Sequence, residues 1–313
     1  MSSIAVVSAS GPKGGIGHVR RASRVARALS RRASVSVTHR DLNQDPDSGA
    51  LETEVSASIA DLVLIDVPPS LRSASLIRSL GKLRERGKRI AAIDGPSENV
   101  DLLIVPSFHI DANLRSRNDA GLVDVRWGWD HLLIDQRSSV APRSPGAPLL
   151  VLSGGSDAVG LGRRLPHYLE ARLEAGLAVN WVVGPLAPDP LLPNVPRLTW
   201  TVIRGVDDLR SIMRISKYAF SVYGVSTLEL LHHGVPTVAF SPYGTRDVAE
   251  LNVLENEGLA LTATDEMEAL ERLVRLIEDS RLADALAHNG AAQIPRSGTG
   301  KVVEAVLSHL PGL

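Results

Sequence analysis

Apolar residues recur along this chain in short unbroken runs, and each run is followed by a segment of helical period. The first run, Ile4-Ala5-Val6-Val7, has no polar interruption, as a strand covered on both faces requires. Beyond a glycine-rich loop, Ala22, Val25, Ala26 and Leu29 fall on one stripe while Arg20, Arg24, Arg27 and Arg31 fall elsewhere, which predicts a helix over Val19–Arg31. Strands are predicted at Ser34–Val37, Leu62–Ile65, Ile90–Ile93 and Leu102–Val105, with a helix at Leu71–Arg86. Strands alternating with helices imply right-handed crossovers and a parallel sheet.

Val140-Ala141-Pro142-Arg143-Ser144-Pro145-Gly146-Ala147-Pro148 resists both helix and strand and reads as a linker. The pattern then restarts, with strands at Leu149–Leu152, Val179–Val183, Leu198–Val202, Ala219–Val222 and Thr237–Phe240. Helices are predicted at Gly162–Ala175, Val206–Ile215 and Ser226–His233, after an acidic start at Asp265, and at Gly300–Leu310. The expected fold class is α/β, with Rossmann-like domains at 1–143 and 144–296. A C-terminal helix at 297–313 could cross back to the first domain.

Composition narrows the function classes. The 313 residues suit two domains, and 44% apolar with 22% charged residues is an ordinary soluble balance. Thirty-four basic and 35 acidic side chains leave a net charge of −1, which argues against a general electrostatic grip on nucleic acid or an anionic membrane. The absence of cysteine excludes disulfides, thiolate chemistry and cysteine-ligated zinc. With no signal-like start and no long apolar run, a soluble cytoplasmic protein is expected.

Three glycine-rich turns carry candidate chemistry. Ser10-Gly11-Pro12-Lys13-Gly14-Gly15-Ile16-Gly17-His18 joins the first strand to the first helix. Its glycines admit a ligand to bare backbone, and the helix start favours an anion. His18 lies in the first turn, where the dipole disfavours a cationic ring and leaves an imidazole able to accept a proton. A tight structural turn with a surface histidine is the competing reading. The loop also resembles the variant phosphate loop of partitioning-type ATPases, with Leu64-Ile65-Asp66-Val67-Pro68-Pro69-Ser70 as the second signature. His18 and Val19 stand where that chemistry needs lysine and a hydroxyl, and Ser297-Gly298-Thr299-Gly300-Lys301-Val302 again ends in valine. A working ATPase is not expected.

The other two turns, Ser153-Gly154-Gly155-Ser156-Asp157 and Tyr223-Gly224-Val225-Ser226-Thr227-Leu228-Glu229, each follow an apolar strand of the second half. Backbone amides and hydroxyls there can bind a diphosphate without a metal, and the Glu229 carboxylate can accept from ribose hydroxyls. Structural glycine turns and hydroxyl caps give the same local pattern.

Together with Val206-Asp207-Asp208-Leu209 and Gly234-Val235-Pro236, these segments resemble the nucleotide-binding half of GT-B enzymes, the lipid II-forming N-acetylglucosaminyltransferase in particular. The first half resembles the UDP-sugar hydrolase of pseudaminic acid biosynthesis and its spore-coat-polysaccharide homologues. The residues that carry this are Gly17-His18-Val19-Arg20-Arg21, the strand Asp61 to Asp66, Ile93-Asp94 and the segment Val125 to Ile134. The resemblance implies two Rossmann-like domains facing across a cleft, with His18 as the catalytic base or water-orienting group. It further implies donor contacts at Gly154, Gly155, Ser156, Asp157, Gly224, Val225, Ser226 and Thr227, base contacts near Val206 and ribose contacts from Glu229, with Gly17 and Arg21 lining the first-half site. Two departures stand out: Pro68 replaces a tyrosine, and Ala249-Glu250 replaces an Asn-Gln or Gln-Gln pair.

Asp45-Pro46-Asp47 fits a metal-binding Asp-x-Asp but lies in a turn with no strand ahead, so no obligatory metal and no cofactor are expected. His232 and His233 close a helix and read as structural. Trp127 and Trp129 could stack on a sugar or acceptor, or pack between domains. The expected partner is a nucleotide-sugar donor, most simply a UDP-sugar. The expected reaction is inverting transfer to an acceptor hydroxyl, with hydrolysis or non-catalytic binding as alternatives. The sequence specifies neither acceptor nor oligomeric state.

Overall fold

A computed structural model describes residues 2–9, 17–32, 34–42, 48–134, 144–206, 208–294 and 298–312. The loop 10–16, Asp45-Pro46-Asp47, residues 140–143 of the linker, Asp207 and the boundary at 296/297 lie outside the described residues. The chain divides into one unit of Met1–Ile134 with Ser297–Leu313, and a second of Asp135–Arg296.

The first unit runs β1 (Ser2–Ala9), α1 (Gly17–Ser30), β2 (Val35–Leu42), α2 (Ser48–Ser56), β3 (Leu62–Asp66), α3 (Ala74–Glu85), β4 (Arg89–Ile93), β5 (Leu102–Ile104), α4 (Ala112–Asp119) and β6 (Asp124–Arg126). Its six strands form a parallel sheet in the order β2-β1-β3-β4-β5-β6. The unbroken apolar runs are explained by two cores, one on each face. Ile4, Val6, Leu62 and Leu64 meet Ala22, Val25 and Leu29 of α1 on one side. Val7, Val63 and Ile65 meet Leu76, Leu80 and Leu83 of α3 on the other. The C-terminal helix Gly298–Leu307 adds Val302, Val303 and Val306 to the α1 side. It can lie this close because Gly298 has no side chain: a Cβ there would strike the Leu132 carbonyl oxygen.

The second unit runs β7 (Leu149–Leu152), α5 (Leu165–Arg172), β8 (Ala178–Val182), β9 (Thr199–Ile203), α6 (Arg210–Ile215), β10 (Tyr218–Val222), α7 (Val225–His232), β11 (Thr237–Phe240), α8 (Val248–Asn256), β12 (Leu261–Ala263), α9 (Glu266–Glu278) and α10 (Ser280–Gln293). Its parallel sheet has the order β12-β11-β10-β7-β8-β9. Trp181, Phe220 and Val238 pack under α5 and α9. The helix expected over Gly162–Ala175 opens instead as a tight turn at Leu161–Arg163, and α5 begins only at Leu165, with Pro166 in its first turn. Likewise α6 starts at Arg210 rather than Val206.

Each sheet reverses direction once. In the first, the chain leaves β1 for β2 on one side and β3 on the other; in the second, β8 and β9 lie to one side of β7 and β10 to the other. At such switch points the loops splay apart, and the crevice beyond the carboxyl ends is where open α/β sheets take ligands. Among the described residues, no helix is long and apolar enough to cross a membrane.

Candidate functional site

At the switch point of the first sheet, β3 ends in Asp66, whose side chain is 0% exposed. His18 stands at the second position of α1 and brings its Nδ1 within 2.7 Å of Asp66 Oδ1. Arg21, one turn further along, donates from Nε to Asp66 Oδ2 at 2.8 Å and from Nη2 to Oδ1 at 2.7 Å. Spacing of three residues on a helix puts His18 and Arg21 on one face, directed at the same carboxylate. Arg21 Nη2 also lies 3.0 Å from His18 Nδ1. A guanidinium can only donate, so these two nitrogens are neighbours competing for Asp66. The carboxylate accepts a hydrogen bond from Nδ1–H and so leaves Nε2 as the acceptor nitrogen of the ring.

The network continues to β4. Asp94 follows its last residue, and its carboxylate, 44% exposed, lies 3.5 Å from Arg21 Nη2 and 3.8 Å from Arg72 Nη2. Asp94 has φ +65°, a left-handed conformation uncommon outside glycine and concentrated at functional sites. Arg72 also donates from Nε and Nη2 to the Val67 carbonyl, at 3.2 and 3.1 Å. Burial works to lower the Arg21 pKa, but the carboxylates of Asp66 and Asp94 outweigh it and hold it above the ordinary value. For Arg72 burial wins and the pKa falls, with Asp94 opposing and Arg21 assisting. Ser8 of β1 pairs in register with Asp66 on one side and Asp41 on the other, and its Oγ meets His39 Nε2 at 3.1 Å. Gly17 opens α1, and a Cβ there would meet nothing within 4 Å.

At the switch point of the second sheet, β7 gives way to the Gly154-Gly155-Ser156 turn, with Gly154 at φ +90° and Ser156 exposed. Asp157 is turned inward: its two carboxylate oxygens accept from Leu161 N at 2.8 Å and Gly162 N at 2.9 Å, capping the next turn. Gly184, after β8, is pressed against this loop, and a Cβ there would lie 2.7 Å from the Gly155 carbonyl carbon. On the neighbouring β10, Gly224 in extended conformation leads into α7, opened by exposed Val225 and half-buried Ser226. Thr227 is fully buried, with its Oγ1 3.2 Å from Ser221 Oγ and 3.3 Å from the Val222 carbonyl. Glu229 is half-buried one turn into α7, and Val206 is half-buried in the loop after β9. Among the described residues, no group of three His, Asp or Glu side chains is placed to hold a metal ion.

Several participants escape a motif reading. Asp66 falls within the Leu64–Ser70 signature and the Asp61 to Asp66 strand, but neither motif gives it a role; an acid closing a strand buried on both faces is the signal for one. After β11, Ser241 Oγ donates to Asp247 Oδ2 at 2.6 Å. The Tyr223 phenol has its pKa pushed up, mainly by burial and further by the charges of Glu250 and Asp247. His232 is buried, with its Nδ1 3.3 Å from the Ile294 carbonyl.

Two Rossmann-like units with parallel six-stranded sheets define the GT-B class of fold. Solved structures of that class match the chain end to end. MurG of Acinetobacter baumannii has a TM-score of 0.67 at 14% identity, covering 98% of this chain and 100% of its own. The glycotransferase of kitacinnamycin has a TM-score of 0.68 at 14% identity, covering 99% of each chain. The UDP-GlcNAc 2-epimerase of Neisseria meningitidis, solved with UDP-GlcNAc bound, has a TM-score of 0.64 at 13% identity, covering 98% of this chain and 100% of its own. Identities this low speak for the fold alone. No protein-family model and no curated protein matches the chain.

Proposed function

We propose that this protein cleaves the anomeric C–O bond of a nucleoside-diphosphate sugar, most simply a UDP-sugar, and passes the glycosyl group to an acceptor hydroxyl without a metal. The observation that carries this reading is the 2.7 Å pairing of His18 Nδ1 with Asp66 at the first sheet's switch point. With its Nδ1 proton held by Asp66, His18 Nε2 takes the proton of the acceptor O–H. The oxygen attacks the anomeric carbon as the bond to the diphosphate breaks, and the electron pair leaves with the diphosphate. The imidazolium formed is stabilised by Asp66, while Arg21 keeps that carboxylate aligned.

The second unit supplies the nucleotide grip in this reading. The Gly154-Gly155-Ser156 turn and the start of α7 at Val225-Ser226 offer amide and hydroxyl donors to the diphosphate, in place of a cation. Glu229 accepts from the ribose, and backbone near Val206 meets the base. The solved structures of like fold, glycosyltransferases among them, support this reading.

Incubation with UDP-, GDP-, CMP- and dTDP-sugars, with and without cell extract, tests the proposal. A new glycoside formed only with extract is the expected result. Free sugar released without extract would replace transfer by hydrolysis, and an altered but still nucleotide-linked sugar would point to epimerisation. Absence of any nucleotide binding by calorimetry would remove the enzyme reading altogether.

A further inference from the structure

The first unit builds its two cores without aromatic residues. Its only Phe, Trp or Tyr side chains are Phe108, Trp127 and Trp129. All three lie beyond the carboxyl ends of β5 and β6, on the same edge of the sheet as His18, Asp66 and Asp94. Trp127 packs against the aliphatic core under α3. Phe108 and Trp129 belong to neither core; they stack on one another with ring centroids 4.2 Å apart and planes 17° from parallel. Both rings are half-buried.

The two loops that carry them are tied together. Gly128 N donates to the Ser107 carbonyl at 2.9 Å, and Gly128 takes φ +99°, which lets the chain turn between the two tryptophans. His131 Nδ1 lies 2.8 Å from the Trp127 carbonyl and fixes the far side. A groove of about 460 Å³ is lined by His109, Ile110, Asp111 and Arg115, starting one residue beyond Phe108. Large rings that join neither core and keep part of their faces open beside polar groups can serve as a binding surface.

We infer that Phe108 and Trp129 form an acceptor subsite, a platform on which a ring with an apolar face stacks: a sugar ring or an aromatic aglycone. The inference rests on the proposed glycosyl transfer and names the acceptor class. Strands in a sheet are spaced by ~4.8 Å, so the platform lies two to three strands, about 10–15 Å, from Asp66 along the edge. The acceptor is therefore extended, with the stacked ring one or two rings removed from the hydroxyl that reacts.

The test uses the full chain and three probes: cellobiose, a p-nitrophenyl glycoside and glycerol as a ring-free control. Binding is measured by saturation-transfer NMR on wild type, Trp129→Ala, Trp129→Phe and Phe108→Leu, each checked for a native melting transition. At least one ring probe is expected to bind and glycerol not. Trp129→Ala should weaken binding about tenfold, and Trp129→Phe should stay within about threefold. Binding of the disaccharide alone assigns a glycan, and of the p-nitrophenyl glycoside alone an aromatic aglycone. Failure of both ring probes at millimolar concentration, or unchanged binding in both Trp129→Ala and Phe108→Leu, overturns the subsite. If Trp129→Ala does not fold, Phe108→Leu alone decides. Nucleotide-sugar turnover on the same preparations keeps the two readings apart: turnover without ring binding removes the platform only, and ring binding without turnover removes the transferase reading only.

Discussion

Asp66 serves His18 and Arg21 through one buried carboxylate, at 2.7 Å to the imidazole and 2.7 and 2.8 Å to the guanidinium. A histidine paired only with an acid can swing about that bond. Here the fork of Arg21 holds the acid in plane, so the direction of His18 Nε2 is set by two residues acting through a third.

His18→Ala is expected to lower turnover by roughly 100- to 10,000-fold, the usual contribution of a positioned base, with nucleotide affinity unchanged. Single-turnover kinetics beside calorimetry checks this. Wild-type turnover in the variant would take His18 out of the chemistry.

Asp66→Asn takes from Arg21, only 12% exposed, its buried bidentate partner and leaves it only the more exposed Asp94 carboxylate at 3.5 Å. A loss of about 3–5 kcal/mol in unfolding free energy is expected, as for other buried pairs broken on one side. Where the variant folds, turnover should also fall, because the amide can offer a donor to His18 Nδ1 and reverse the ring tautomer. Urea titration and kinetics read the two effects separately.

Gly184→Ala should push the Gly154-Gly155 turn out of place, since its Cβ would lie 2.7 Å from the Gly155 carbonyl carbon. Overpacking of this kind costs about 1–3 kcal/mol. Nucleotide affinity should fall while the His18 network, which belongs to the other unit, is untouched.

Ser226→Ala and Thr227→Val are expected to behave differently despite being neighbours. Thr227 spends its hydroxyl on Ser221 and the Val222 carbonyl, so its loss should lower stability by about 1–3 kcal/mol with little change in nucleotide affinity. Ser226→Ala should do the reverse. Melting curves and nucleotide titrations on the pair would show equal behaviour if this division is wrong.

Glu170 carries a pH signature. Its carboxylate accepts from Trp200 Nε1 at 2.7 Å, Arg197 N at 2.7 Å and Leu198 N at 3.2 Å. Burial would raise its pKa, but these donors outweigh it and hold it below the ordinary glutamate range. A depressed carboxylate stabilises the fold above its unfolded-state pKa of about 4.3, and that contribution is lost as pH falls through the folded value. The melting temperature should therefore drop more steeply on acidification below about pH 4 in wild type than in Glu170→Gln.

Strands such as β1, β3 and β7 were legible because burial on both faces demands unbroken apolar runs. The helices α2 and α4 were not: α4 buries none of its side chains, so no stripe marks it. The short strands β6 and β12 have three residues each and, unlike the equally short β5, no unbroken apolar run to mark them. The glycine turns and His18 could be read locally because a turn and a helix start are local chemistry. The partnership of His18 with Asp66 spans 48 positions and exists only once β1 pairs in register with β3. Asp157 shows the converse, since its place in a glycine turn does not reveal that both its oxygens are occupied by backbone amides.

The C-terminal helix gives the first unit a particular order of assembly. Residues 298–307 leave the ribosome only after the whole second unit, yet Val302, Val303 and Val306 complete the layer over Ile4, Val6 and Leu64. During synthesis the earlier unit therefore waits with the layer on its α1 side incomplete while the later one can close on itself. Loss of those ten residues by a premature stop would expose apolar surface in the unit made first, and a chaperone holding that surface would release it only once residues 298–307 are made.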